Sequence, residues 1–557
     1  MRHYLFNFKY LCWCTLLAFP SLLLAQRNSP IFSYVSKPSS LEEDMKALTG
    51  DKYENARVIY EKLVKARGDR RYPAPPFLMT KDVANGAYLA AEASSIVLEE
   101  KAYDICMSFG EEEGVAAVAS LLGHELIHFY EKHQWRTSFV DEFRNELEVG
   151  RTLENIVGVD KINNETQSDY LGGFLAYSAG YEVFKNRTAL LDKVYQDYEI
   201  PEVDPSGRYP SLKDRKMLAV KSEEKLAELV QLFEIANLLA ALGEYGNARA
   251  VYRHILLDYQ SPQLYSNLGV VFVLEALELF PRSERKYRLP VELDFDFGAG
   301  GKDGFTEADK ARRERLLREA IMYFNNALAL DSEYAPAYLN KACAYYILDE
   351  LPQAKFYAGE EAMRSPETYF KTAIDGKVLL GMILQKEGDE AGAIAALEKL
   401  ASVSSIADYN LRKIKGEPIP EGEIDEPEAW KIDDVDPRDL AFFPRMAGAD
   451  ESLELKLYGK LKVETWEGVG GLGRSVIIRV DPPKGPELFI HLTREGYEGE
   501  TYDRFKVGTA RAEIVEKYGE PAVSRALPNG EVLVYEEVAF FMDADRNLQR
   551  WANYIFD

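Results

Sequence analysis

Apolar and polar positions recur with changing periods along the chain, and each change of period marks a change of architecture. Ser40 opens SLEE, the spacing of a helix capping box, and Ala56, Ile59, Tyr60 and Leu63 predict a helix from Asp51 to Ala66. Pro73, Pro75 and Pro76 break the chain before a strand-like run from Phe77 to Met79, and SSIVL from Ser94 to Leu98 predicts a second strand. Two readings fit Ser94 to Glu99: an edge strand that pairs with an extended substrate backbone, or a plain core strand. Val115 to Leu122 is almost wholly small and apolar and predicts a buried helix that continues to Glu131. SAGY, Ser178 to Tyr181, marks a helix end with Gly180 as its left-handed cap.

From about Ser222 the spacing becomes a repeat of roughly 34 residues. Gly243, Tyr245, Ala248 and Tyr252 form one half-unit, and Leu268 with Gly269 begins another. Ala320, Phe324 and Ala327 supply a further second helix, and Tyr338, Tyr345, Ala354 and Pro366 mark a full unit. Leu380, Gly381, Gly388, Ala393 and Leu397 mark the last. Helix pairs of this tetratricopeptide type cannot bury their faces alone, so they stack into a solenoid with a concave surface. A Pro- and acid-rich linker runs from Lys413 to Asp439, and a β-rich segment follows. Its strands are expected at Leu453 to Tyr458, Leu461 to Thr465, Ser475 to Val480, Glu487 to Leu492 and Val532 to Met542, with a helix ending at Tyr518. Gly468, Gly470 and Gly473 satisfy GxGxxG, but a strand follows them and not a helix, which excludes a dinucleotide loop.

Composition narrows the class. The chain has 557 residues and a net charge of −25, which argues against nucleic acid or an anionic membrane surface as its main partner. Residues 1–25 combine Arg2 and Lys9 with an apolar stretch and a small residue, Ala25, the layout of a secretory signal. No later run is long and apolar enough for a membrane span. The expectation is an exported, periplasmic protein, free or membrane-associated, whose remaining Cys106 and Cys343 are buried thiols or a disulfide.

The chemistry concentrates in HELIH. His124 and His128 are four apart, so on a helix both imidazoles point at one spot, with Glu125 beside the first of them. Two imidazoles on a metal with a neighbouring carboxylate as general base is a zinc-hydrolase layout. His133 does not complete HExxHxxGxxH, because Glu131 and Gln134 interrupt that pattern. Downstream, Glu165 and Asp169 in NETQSDYLGG lie one helical turn apart. They read either as a carboxylate ligand with a second acid orienting a histidine, or as a solvated acidic face. The aspartates of DFDFGAGG lack EF-hand spacing and read as loop. The sequons at Asn164 and Asn186 are discounted, since a glycan on Asn164 would crowd the proposed site.

HELIH followed by ETQSD, LGG and SAGY resembles the HtpX and CAAX-prenyl-protease family of gluzincin metallopeptidases, in its soluble periplasmic, BepA-like branch. Asn85 to Tyr88 before an Ile-Val strand is similar to that family's NAF/NAY segment. The resemblance covers roughly residues 45–220. It implies an α+β zincin-type peptidase domain over residues 40–221, ahead of the all-α tetratricopeptide solenoid over 222–412, the linker over 413–439 and a small β-rich α+β domain over 440–557. It also implies one zinc per chain on His124, His128 and Glu165, with Glu125 as catalytic base and Asp169 orienting a ligand histidine. Tyr209-Pro210-Ser211 with Arg215 resembles the family's HPS…R segment with tyrosine in place of histidine. Tyr209 then caps the metal or stabilises an oxyanion, or is a turn residue, while Arg215 lies near the site. The family's glycine pair before the edge strand is missing. The last strands resemble BamE-like envelope modules.

Two functions follow. One is a zinc endopeptidase of the envelope in protein quality control, its repeats recruiting protein substrates or envelope assembly partners. The other is a chaperone-like scaffold with a latent zinc site.

Overall fold

The computed structural model describes residues 48–71, 73–81, 83, 86–90, 95–131, 149–203, 211–280, 286–291, 307–419, 432, 451–455, 461–467, 475–494, 496–501, 503–521, 523–527 and 530–556. Tyr209, His133, the aspartates of DFDFGAGG, the three GxGxxG glycines and residues 1–25 lie outside them.

Helix α1 (Asp51–Arg67) buries Ala56, Ile59, Tyr60 and Leu63, the positions expected from their spacing. Strands β1 (Phe77–Thr80), β2 (Ala87–Ala90) and β3 (Ser95–Glu99) follow. They pair in the order β1-β3-β2, with β3 parallel to β1 and antiparallel to β2. The edge-strand reading of Ser94 to Glu99 is therefore corrected. Every residue of β3 is buried, its polar Ser95 and Glu99 included, and the strand is paired on both sides. Strands β1 and β2 hold the two edges instead, and β2 packs against the helix that carries HELIH.

Helices α2 (Glu100–Met107), α3 (Glu111–Tyr130), α4 (Val149–Ser178) and α5 (Arg187–Asp197) complete this part. Helices α3 and α4 cross at Gly123 and Gly172. A Cβ on Gly172 would lie 2.4 Å from the His124 backbone nitrogen, and one on Gly123 would lie 2.4 Å from the Gly172 carbonyl oxygen. Only glycine at both positions lets the two backbones approach so closely.

Helix α6 (Leu212–Ala241) opens on a capping box between Ser211 and Asp214 and runs through Ser222 without a break. The change of sequence period thus falls inside a helix. After it come α7 (Tyr245–Asp258), α8 (Pro262–Glu278), α9 (Glu307–Leu330), α10 (Ala335–Ile347), α11 (Leu351–Phe356), α12 (Phe370–Lys386), α13 (Glu390–Glu398) and α14 (Ser405–Lys415), each packed against the next. Ala248, Tyr252, Ala320, Phe324, Ala327, Ala354, Ala393 and Leu397, the small and aromatic repeat positions, are buried between them. Cys106 and Cys343 are buried free thiols. Among the described residues no helix is long and apolar enough to cross a membrane.

The C-terminal strands form one antiparallel sheet of eight in the order β4-β5-β6-β7-β11-β10-β9-β8. These are β4 (Glu451–Leu455), β5 (Leu461–Glu467), β6 (Ser475–Asp481), β7 (Leu488–Thr493), β8 (Val523–Leu527), β9 (Gly530–Tyr535), β10 (Val538–Asp543) and β11 (Leu548–Phe556). Strand β11 returns beside β7 and joins the strands before and after helix α15 (Arg511–Tyr518). Alternate residues serve opposite faces. Leu533, Phe540 and Trp551 pack with Ile514 and Tyr518 of α15, whereas Val532, Val534, Phe541 and Ala552 join the core that includes the helices. Arg494 pairs with Glu234 of α6 at 2.6 Å, and Arg288, between α8 and α9, pairs with Glu520 at 3.0 Å. Ser405 at the start of α14 donates to Glu531 of β9 at 2.9 Å, so the sheet is tied to the first and the last helix of the array.

His491 in β7 is fully buried, with Nε2 3.0 Å from the Ser475 hydroxyl oxygen. Burial pushes its pKa from 6.5 down to about 4. With the folded value below the unfolded one, the unfolded chain takes up the proton first. The stability that His491 contributes above pH 6.5 is therefore lost as pH falls towards 4, about 3 kcal/mol over that window. Urea unfolding of the sheet at pH 7 and pH 4.5 should show this loss in the wild type and a smaller one in His491→Gln.

Candidate metal centre

Three helical turns on two helices supply the site. His124, Glu125 and His128 lie in the last turns of α3 and are all buried. Glu165 and Asp169 lie one turn apart on α4, brought within reach by the Gly123–Gly172 crossing. His124 Nε2 is 3.5 Å from Glu165 Oε2, His128 Nε2 is 3.5 Å from Glu165 Oε1, and the two Nε2 atoms are 2.9 Å apart. On its other side, His124 Nδ1 is 2.9 Å from Asp169 Oδ1. A carboxylate there accepts the Nδ1 proton and leaves Nε2 bare for a metal.

Glu125 is anchored separately, by strand β2. Its Oε2 accepts the Leu89 backbone N–H of β2 at 3.0 Å. Its Oε1 is buried and has no hydrogen-bond partner among the described residues. One oxygen is thus anchored to the edge strand and the other is open, which orients the carboxylate without spending its basicity.

The charges are interlocked. Burial opposes the protonated form of His124, but hydrogen bonds to Asp169 and Glu165 and the charges of Asp169 and Glu125 override it and raise its pKa from 6.5 to about 10. Burial works against ionised Glu165 as well, yet His128 and His124 hold it well below the usual carboxylate range. For Glu125 burial prevails over the attraction of the two histidines, and its pKa is raised.

The donor set fits zinc. The ligand atoms of His124, His128 and Glu165 all lie within 4.8 Å of one another. A tetrahedral ion with ligand bonds near 2.1 Å sets its ligand atoms about 3.4 Å apart. The two histidine–carboxylate separations of 3.5 Å match that edge, and only the 2.9 Å gap between the imidazoles must open. Two imidazole nitrogens and one carboxylate form a donor set of the kind found in catalytic zinc sites.

Arg215, on the first turn of α6, is buried and lines a cavity of about 50 Å³ together with His124, Asp169 and Arg187. Sequence reasoning passed over Arg187, which stands inside a sequon that was set aside. It also missed the Leu89 amide, since a backbone donor leaves no mark on residue type. No family model matches the chain, and no curated protein matches it.

Proposed function

We propose that the chain is an exported zinc endopeptidase of the cell envelope, acting on unfolded or misassembled proteins. The observation that carries the reading is Glu125. It is a buried carboxylate with one oxygen fixed by the Leu89 amide and the other unpartnered, next to a two-histidine, one-carboxylate cluster. A structural metal site has no use for such a group. His124, His128 and Glu165 hold the metal, and Asp169 fixes the His124 tautomer through Nδ1. Bound zinc supplies Lewis acidity toward water and a carbonyl. The open Oε1 of Glu125 takes the proton from the attacking water and later gives it to the leaving amine. Burial, by raising the Glu125 pKa, makes that carboxylate a better base than an exposed one. Arg215 lies beside the ligand set, where it lines a small cavity together with His124 and Asp169.

A cavity of about 950 Å³ gives the repeats a place to hold a polypeptide. Lys62 and Lys65 line it from α1, Tyr334 and Phe370 from the helical array, and Asp545 from the sheet. A scaffold with a latent site would use the same cavity, so the two readings separate at the metal.

The test is zinc removal. Purified Gln26–Asp557 should hold about one zinc and cut an unfolded protein. Dialysis against a chelator should stop the cutting, and one equivalent of zinc should restore it. A chain that binds no zinc ends the metal assignment, and one that binds zinc but never cuts supports the scaffold.

A further inference from the structure

Arg187 is the first residue of α5, yet its side chain turns inward and is buried. Its Nη2 donates to the Ser120 hydroxyl of α3 at 2.9 Å. Its Nη1 lies 3.8 Å from Asp169 Oδ1 of α4, the same oxygen that meets His124 Nδ1. Its backbone N–H donates to Glu223 Oε1 of α6 at 3.2 Å. Gly173 makes room for it, since a Cβ there would meet Nη2 at 2.6 Å. One guanidinium therefore touches the helix that carries both histidines and the carboxylate that orients one of them.

We infer that Arg187 is a positioning residue for the metal centre. It holds Asp169 aimed at His124, and uses Ser120 as its own anchor. A buried charge left with poor pairing is costly, so Arg187 has a reason to be here that packing alone does not give. Asp169 faces His124 Nδ1 on one side and the Arg187 guanidinium on the other. Without Arg187 the carboxylate loses its cationic neighbour and its preferred rotamer, and His124 is free to turn or to take the other tautomer. The order of contacts is then Arg187–Asp169–His124–metal, with Ser120 fixing the far end. This rests on the zinc reading above, and it names a residue that touches neither metal nor substrate.

The experiment measures zinc affinity by chelator competition, together with melting of the metal-free protein, in full-length chains. Arg187→Gln should weaken zinc binding about 10- to 100-fold. Asp169→Asn should weaken it by a similar factor, and the double variant should be no weaker than Asp169→Asn alone. Arg187→Lys should recover part of the loss. Ser120→Ala, a smaller change that keeps the charge, should weaken binding by about threefold and covers the case in which Arg187→Gln fails to fold. Additive effects of Arg187→Gln and Asp169→Asn would assign Arg187 to packing and overturn the inference. So would wild-type affinity in both Arg187→Gln and Ser120→Ala. If the wild type itself holds no zinc, the zinc reading and this inference fall together. If the wild type binds zinc and only the Arg187 results disagree, the zinc reading stands.

Discussion

Glu125→Gln should lower cleavage of an unfolded protein by about 10³-fold while leaving one zinc bound. The substitution is nearly isosteric, and it alters one interaction while keeping the others. The amide oxygen can still accept the Leu89 N–H, the contact now made by Oε2. The amide nitrogen then occupies the Oε1 position, where the carboxylate oxygen has no partner among the described residues. A group that could take a proton becomes one that cannot. The metal ligands His124, His128 and Glu165 are untouched, so zinc content should match the wild type. The measurement is the cleavage rate with zinc determined on the same preparations. A variant that cuts at the wild-type rate would remove Glu125 from the chemistry. One that loses zinc would show that the carboxylate helps hold the ion.

Much of this centre could be read from the chain because its geometry is local. His124 and His128 share a face by helical periodicity, and so do Glu165 and Asp169, so each pair needed only the assumption of a helix. That the two pairs meet is a long-range fact, and LGG hinted at it only through resemblance. Its physical reason is the crossing of Gly123 on Gly172, which brings the two helices together. Arg187 was out of reach because its contacts come from three helices that sequence does not place together: Ser120, Asp169 and Glu223. Nothing in Asn-Arg-Thr says that the arginine is buried. The choice between edge and core strand for Ser94 to Glu99 stayed open for a related reason, and the structure makes it the core strand. An apolar run identifies a strand, but its rank in the sheet depends on the crossover from β1 to β3, which leaves β2 outside. The closing of the C-terminal strands into one sheet was equally hidden, because it depends on β11 pairing back to β7. The sequence reading places no strand at β8 or β11, so the strand that makes the return is absent from it.

Gly172→Ala should cost the protein its zinc and several kcal/mol of stability, more than most overpacked cores lose. The added methyl would sit 2.4 Å from the His124 backbone nitrogen and 2.7 Å from both the His124 Cα and the Gly123 carbonyl carbon. These are main-chain atoms of a buried helix and cannot swing aside as a side chain can. Relief requires α3 and α4 to separate, and the ligand set spans those two helices. Any separation carries Glu165 and Asp169 away from His124 and His128, and imidazole–carboxylate distances of 3.5 and 2.9 Å leave little slack. Loss of metal and loss of stability should therefore appear together, unlike the Glu125→Gln result, where zinc stays. Gly246→Ala is the control, since a Cβ there meets nothing within 4 Å and the residue lies in α7. Alanine should be neutral or stabilising there by about 0.5–1 kcal/mol. Melting curves and zinc content of the two variants decide the matter. Wild-type zinc and melting in Gly172→Ala would mean that the helices do not cross at this contact, and the site built on that crossing would have to be redrawn.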